Sequence, residues 1–233
     1  PYVAKPDDLA LYKGKVPNEG AANFFGMIHN IDENAGRLLA KLGEWGIEKD
    51  TLVIFMNDNG GTAGTKVFNA DMNGSKGSAW LGGTRASFFW RWPGTLKPAD
   101  CGALTAHIDF FRTIAEISGA TIPESAQNQV EGRSLVPLLQ NPAAEWPDRF
   151  LFTHVGRWPK GADPGTAKHS TAAVRNTRWS LVYLGGKKQL FDLKVDYGQK
   201  TDVSAGHPEI VKELEAAYDQ WWADCLPLMV NEK

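Results

Sequence analysis

The chain has 233 residues, of which 42% are hydrophobic and 22% charged, and its net charge is −2. This length suits one sizeable core with a smaller appendage, and the near-neutral charge excludes nucleic acid or an anionic membrane surface as a general partner. No apolar stretch is long enough to span a bilayer, and two distant cysteines, Cys101 and Cys225, exclude a disulfide scaffold.

The first half of the chain predicts an α/β arrangement. After an irregular lead-in over residues 1–20, apolar side chains recur every three or four positions from Phe24 to Trp45, which is typical of a long amphipathic helix. A short polar link leads to residues 51–57, an apolar run that predicts a strand buried on both faces. A second strand is expected at residues 86–90. Helix, loop and apolar strand in this order favour parallel strands.

The tail predicts a different arrangement. Residues 150–155, 171–175, 179–184 and 189–193 are strand candidates, with Gly185 and Gly186 suited to a hairpin turn, and a last helix begins near Pro208. The expected fold class is therefore α/β, with two parts. Residues 1–145 contribute to a mixed, mostly parallel sheet flanked by helices, and residues 146–233 form a small α+β subdomain with an antiparallel sheet and one packed helix.

Two oxygen-bearing residues, Asp58 and Asn59, directly follow the first predicted strand. A carboxylate beside an amide oxygen at the carboxyl end of a strand suits Ca²⁺ or Mg²⁺ rather than a softer metal. Asp-Asn-Gly is also a common turn signal. The spacing alone leaves the metal site and the plain turn both open.

Lys76 lies in a glycine-rich loop over residues 60–83, which is longer than an ordinary connection. Flanking glycines let the backbone approach an anion, and an ammonium group can hold an oxyanion. A lysine in such a loop is more often simply solvated. The loop lacks the spacing of a phosphate-binding P-loop.

Histidines occur at two further places of interest. His107 and Asp109 stand at the start of a predicted helix, where Asp109 suits the helix terminus, and we assign both a structural role. His154, Arg157 and His169 flank the first strand of the small subdomain and are candidates for substrate binding, although each taken singly is more often a surface or core residue.

Together, several segments resemble a sulfatase of the alkaline-phosphatase-like superfamily. The resemblance covers most of residues 20–222, and the strand and lysine-loop motifs are specific only in combination. Its segments, in chain order, are IDENAGRLL at 31–39, VIFMNDNGG at 53–61, SKGSAWLGGTR at 75–85 leading to RWPG at 91–94, residues 107–120 and residues 189–202.

The resemblance implies roles for individual residues. Asp58 and Asn59 match the second pair of calcium ligands in the family, and Lys76 matches the lysine that contacts the sulfate ester and steadies the leaving oxygen. Arg85 is more consistent with a structural role. The family's nucleophile is a formylglycine made from cysteine or serine in a C/S-x-P-x-R motif, and its hydrate attacks sulfur.

The chain departs from the family pattern in its nucleophile. Neither Cys101 nor Cys225 stands in the motif, and no Ser-x-Pro-x-Arg occurs. The acidic pair of the family's first strand and a histidine-rich loop expected before Pro1 are also missing. We therefore expect the carboxyl-terminal portion of a calcium-dependent sulfatase, with residues 1–145 belonging to the large domain. Formylglycine would lie in the missing amino-terminal part, and this chain alone would be inactive.

Two alternatives remain open: a phosphatase or phosphodiesterase of the same superfamily, which would favour zinc, and a non-catalytic binding domain. The expected partners are a sulfate ester, for which a sulfated carbohydrate would suit the tryptophans and residues 154–169, and either the amino-terminal half of the enzyme or a second copy. Neither nucleic acid nor a membrane is expected as a partner. By analogy with the family, the expected location is periplasmic or secreted.

Overall fold

The computed structural model describes residues 2–229, so Pro1 and residues 230–233, the outer ends of the two predicted parts, lie outside the described residues. The strands lie in two separate sheets, of two and four strands. In chain order the elements are α1 (Pro6–Ala10), α2 (Glu19–Glu44), β1 (Val53–Met56), α3 (Leu81–Thr84), β2 (Phe88–Arg91), α4 (Asp109–Ser118), α5 (Glu124–Gln127), α6 (Val136–Gln140), β3 (Leu151–His154), β4 (Thr171–Arg175), β5 (Trp179–Leu184), β6 (Lys187–Asp192) and α7 (Pro208–Cys225).

The long amphipathic helix is confirmed as α2, which begins earlier than the apolar stripe indicated. Asn18 caps it, because its side-chain oxygen accepts a hydrogen bond of 2.9 Å from the backbone N–H of Ala21. The lead-in is less irregular than predicted. It contains α1, which has Pro6 at its first helical position and packs along α2.

The two strands of the first part pair antiparallel, with Ile54 opposite Trp90. The prediction of parallel strands is therefore not met in the described part of the chain. Parallel neighbours need a crossover connection, usually a helix of some length, and the 57–87 connection contains only the four-residue α3 and a single 3-10 turn. The predicted burial of residues 51–57 on both faces was also wrong, since Phe55 is 42% exposed and Met56 43%.

The tail forms the antiparallel sheet that the sequence predicts. Its strand order is β3-β4-β5-β6, and Gly185 and Gly186, both with positive φ, turn β5 into β6. Helix α7 packs on one face of the sheet through an apolar stripe. The core between them includes Val174, Leu181, Tyr183, Leu190, Leu214, Tyr218 and Trp222.

The long loop after β1 is anchored on this sheet. The side-chain oxygen of Gln199 accepts a 2.7 Å hydrogen bond from the backbone N–H of Leu81, and its amide donates to the Ser180 hydroxyl at 3.1 Å. The backbone N–H of Asn73 donates to the carbonyl of Gly198. Gln199 is almost completely buried, so these bonds are shielded from water. They fix the loop that carries Lys76.

A buried ion pair organises the segment after β2. Asp109 is fully buried, and both of its oxygens accept hydrogen bonds from Arg149. The backbone N–H groups of Ala106 and Arg133 each donate to the same carboxylate at 2.8 Å. Burial acts to raise the pKa of Asp109, but the bonds from Arg149 and the two amides together hold it below its ordinary value. Asp109 is therefore a structural residue, as the sequence indicated.

Candidate active site

Asp58 and Asn59 lie just beyond the end of β1. The pairing with the neighbouring strand continues one step past β1, because the backbone N–H of Asn57 donates to the Ser87 carbonyl at 3.1 Å. The Asp58 carboxylate is exposed, and no residue of the described 2–229 forms a hydrogen bond or ion pair with it. The Asn59 amide nitrogen donates to the carbonyl of Gly60 at 3.1 Å, which leaves its side-chain oxygen available to a ligand.

Close backbone packing joins this strand end to α3. The backbone N–H of Gly60 donates to the Gly83 carbonyl at 2.9 Å. A β-carbon added to Gly60 would lie only 1.8 Å from the carbonyl oxygen of Gly82, far inside van der Waals contact. Only glycine fits this position, and Gly60 therefore serves a packing requirement.

Lys76 is placed beside the strand end by its own backbone. Its N–H donates to the carbonyl of Gly61 at 2.9 Å, and the N–H of Ser78 donates to the Ser75 carbonyl at 3.0 Å, which closes a tight turn over residues 75–78. Gly77, third in the turn, has a φ of +86°, a value that turns of this kind reserve for glycine. Lys76 is exposed and is in none of the ion pairs found over residues 2–229.

His154 has both ring nitrogens committed to the backbone. Its Nε2 lies 2.9 Å from the Ala167 carbonyl, to which it donates, and its Nδ1 accepts from the N–H of Gly156 at 2.8 Å. The ring also packs against Trp222, with centroids 4.9 Å apart. Because these bonds use the whole hydrogen-bonding capacity of a neutral imidazole, His154 holds the end of β3 in place.

Arg157 and His169 differ in how many contacts their side chains make with the rest of the chain. Arg157 is exposed, and within the described chain its guanidinium forms no hydrogen bond or ion pair. His169 stacks on the buried Tyr183 ring at 4.6 Å. Burial and the neighbouring charge of Lys168 lower the pKa of His169, so its imidazole is neutral at pH 7. Over residues 2–229, no hydrogen bond or ring contact joins either residue to Asp58 or Lys76.

Comparison with known proteins identifies the family of this chain. Residues 3–120, about half of the chain, match the family model described as Sulfatase. The chain belongs to the sulfatase family. This matched range contains Asp58, Asn59 and Lys76, and it ends after α4.

Individual relatives extend the likeness over most of the chain. It is 34% identical to the steryl-sulfatase of Mus musculus over 223 residues, which is 82% of this chain and 35% of the relative. It is 27% identical to the N-acetylgalactosamine-6-O-sulfatase of Bacteroides thetaiotaomicron, covering 90% of this chain and 46% of the relative. The crystal structure of Ps i-CgsB in complex with k-i-k-neocarrahexaose superposes with a TM-score of 0.76 and 25% identity, covering 95% of this chain and 47% of that one. The chain thus spans less than half the length of each of these three proteins.

The donor set at the end of β1 fits part of a calcium site. Asp58 and Asn59 offer a carboxylate and an amide oxygen that the described chain leaves uncommitted, and Ca²⁺ prefers oxygen ligands of this kind. Calcium takes six to eight such ligands, so these two side chains supply a minority of a complete shell. A separate group in the chain, Asp8, His29 and Glu33, has ligand atoms within 4.8 Å of one another.

Some residues that position the site have no signal in the sequence. Asn69 donates from its side-chain amide to the carbonyls of Met72 and Gly74, which braces the loop before Lys76. Gln199 fixes the same loop from the tail, more than a hundred residues away. Single polar residues in loops carry no periodicity or motif, so only the folded structure identifies them.

Proposed function

We propose that this chain supplies the lysine-bearing and metal-binding side of a sulfuric ester hydrolase active site. The observation that carries the proposal is the 2.9 Å hydrogen bond from the Lys76 backbone N–H to the Gly61 carbonyl. This bond joins the turn that presents the lysine to the loop that presents Asp58 and Asn59. Membership of the sulfatase family supports the reaction class.

Each of these side chains has a chemical role in the proposal. The ammonium group of Lys76 binds the sulfate ester and offsets the negative charge that develops on its oxygens as the ester bond breaks. Asp58 and Asn59 would hold Ca²⁺, which polarises the sulfate oxygens when bound. Mg²⁺ is the second choice because it also prefers oxygen ligands. A formylglycine nucleophile would have to come from outside these 233 residues, which contain no C/S-x-P-x-R motif.

A companion polypeptide or a second copy is part of the proposal. Apolar side chains of β1 and β2 are exposed on both faces of the sheet, with Phe55 and Phe89 paired on one face and Met56 on the other. Much of the apolar stripe of α2 is also exposed, including Ile31 and Leu38. Large exposed apolar surface marks interaction sites in soluble proteins, and an open sheet edge is a template for pairing. We propose that the rest of a complete sulfatase covers this surface, and that the chain alone does not turn over substrate.

For the substrate we propose a sulfated carbohydrate. The names of two similar proteins mention a sugar: one is an N-acetylgalactosamine-6-O-sulfatase, and the other is in complex with a neocarrahexaose. A third is a steryl-sulfatase. These names support a sugar sulfate as the substrate class but do not identify the sugar. Among the residues expected to face substrate, Arg157 has the free guanidinium that could bind an anionic sugar. His154 and His169 would contribute by holding the strand ends beside it.

The proposed location is the periplasm or the outside of the cell, by analogy with the family. Over residues 2–229, no helix combines the length and the apolar character needed to cross a bilayer. The analogy, and not this observation, supports the location.

The first test is denaturing intact mass on the native protein, to look for a second polypeptide that carries an aldehyde in place of cysteine or serine. The complete protein should then hydrolyse an aryl sulfate after chelation only when Ca²⁺ is restored. Restoration by zinc instead would favour the phosphatase alternative. A native sample with this chain alone, and no hydrolysis under any metal, would favour the non-catalytic domain.

A further inference from the structure

We propose that Asp8, His29 and Glu33 form a second metal site, for a divalent transition ion of which Zn²⁺ is the best match. The three residues offer one imidazole nitrogen and two carboxylate oxygens within 4.8 Å of one another. Asp8 comes from α1, whereas His29 and Glu33 are four residues apart on α2 and so share one face of that helix. The site is separate from Asp58 and Asn59.

The state of Asp8 points to a cation. Asp8 is only 7% exposed, yet its carboxylate is in none of the ion pairs of the described chain. One oxygen accepts a 3.2 Å hydrogen bond from the Asn30 side chain, and the other has no hydrogen-bond partner among residues 2–229. Burying a carboxylate costs free energy unless it is paired, hydrogen-bonded or bound to a metal. A second carboxylate, Glu33, has a ligand oxygen within 4.8 Å of it.

The distances suit a tetrahedral ion after a small contraction. Zinc bonds of about 2.0–2.1 Å place neighbouring ligand atoms roughly 3.4 Å apart. His29 Nε2 and Glu33 Oε1 are already 3.6 Å apart, so this edge is almost formed. The Glu33 side chain is 56% exposed, so it has room to change rotamer and bring its oxygen closer to the other two ligand atoms, all of which already lie within 4.8 Å of one another. An imidazole among the ligands favours zinc over calcium, which prefers oxygen alone.

The surrounding structure holds the first ligands in place. The side-chain amide nitrogen of Asn34 donates to the side-chain oxygen of Asn30, and the side-chain amide nitrogen of Asn30 donates to Asp8. Outer hydrogen bonds of this kind orient metal-binding carboxylates. Gly26 lets α1 approach α2, since a β-carbon there would lie 3.1 Å from the backbone carbonyl carbon of Asp8. A bound ion would therefore fasten the lead-in segment to the long helix.

The test is equilibrium dialysis of the protein against ZnCl₂ in excess CaCl₂, followed by metal analysis. Wild type should bind one zinc per chain, and both His29→Asn and Glu33→Gln should weaken binding at least about tenfold. The matched control is His207→Asn, because His207 and Glu209 also lie 3.6 Å apart but belong to no three-ligand group in the described chain. Cys101→Ser, which removes an exposed thiol, should also leave binding unchanged.

A second readout does not depend on zinc stoichiometry. Zinc should raise the unfolding midpoint of wild type and of His207→Asn, because an ion that binds only the folded state stabilises it. It should raise the midpoint of Glu33→Gln by clearly less at the same zinc concentration. The proposal is overturned if wild type takes up no zinc. It is also overturned if His29→Asn and Glu33→Gln bind as wild type does, or if zinc is lost in the His207 or Cys101 variant instead.

Discussion

Gly60→Ala tests whether close packing of the strand end against α3 builds the site. The added β-carbon would lie 1.8 Å from the Gly82 carbonyl oxygen and 2.9 Å from the α-carbon of Gly83. All of these neighbours are backbone atoms, so relief requires the strand end and α3 to separate by roughly 1.5 Å. That movement would break the hydrogen bond from Gly60 to Gly83. We expect a loss of about 3 kcal/mol in the free energy of unfolding, at the upper end of overpacking.

The assay is urea denaturation, with Gly36→Ala as the matched control. Gly36 lies within α2, and a β-carbon there meets nothing within 4 Å. Because alanine is the better helix former, this control should gain about 0.5–1 kcal/mol. The reasoning is refuted if Gly60→Ala is as stable as wild type, or if both variants change stability by the same amount.

Other predictions concern the proposed metal site and the buried ion pair. Asp58→Asn should weaken Ca²⁺ binding by roughly tenfold, measured by calorimetry, because it removes a charged ligand; unchanged affinity would place the ion elsewhere. Arg149→Met should cost about 3–5 kcal/mol in urea denaturation because it leaves the Asp109 carboxylate buried and unpaired, whereas Arg178→Met, at a half-exposed pair, should cost far less. The Asp109 pKa is lowered by folding, so its contribution should be complete above the ordinary value near 3.8 and be lost as the pH falls through the folded-state pKa. A wild-type stability that does not fall in acid, or that falls equally in Arg149→Met, would contradict this sign.

The tail of the fold was predictable because its signals are local. Strands β4 and β5 have the bounds that the sequence predicts, and Gly185 and Gly186 turn the chain where expected. In contrast, the β1–β2 pairing depends on the path of the loop between them. That path is set by Gln199 and Gly198 from the far end of the chain, and an apolar run does not say whether its neighbour is parallel. Helix α1 was missed because its five residues are stabilised by packing on α2 and carry little pattern of their own.

The candidate site divides in the same way. Asp58, Asn59 and Lys76 could be singled out because together they resemble a family motif, whereas their chemistry alone left a plain turn open. His154 could not be judged from the sequence, since its two hydrogen bonds go to backbone groups of Gly156 and Ala167. Such contacts depend on tertiary structure and leave no trace in residue spacing. The roles of Asp58, Asn59 and Lys76 remain predictions.

The most direct test of the central claim is aryl sulfate hydrolysis by the complete protein carrying Lys76→Ala, in saturating Ca²⁺. The account predicts a loss of about 10²–10³-fold in kcat/KM, which is typical for removing one group that stabilises transition-state charge. The control is Lys66→Ala, which changes an exposed lysine of the same loop and should leave kcat/KM unchanged. Full activity in Lys76→Ala, or an equal loss in both variants, would contradict the assignment of Lys76 to the active site.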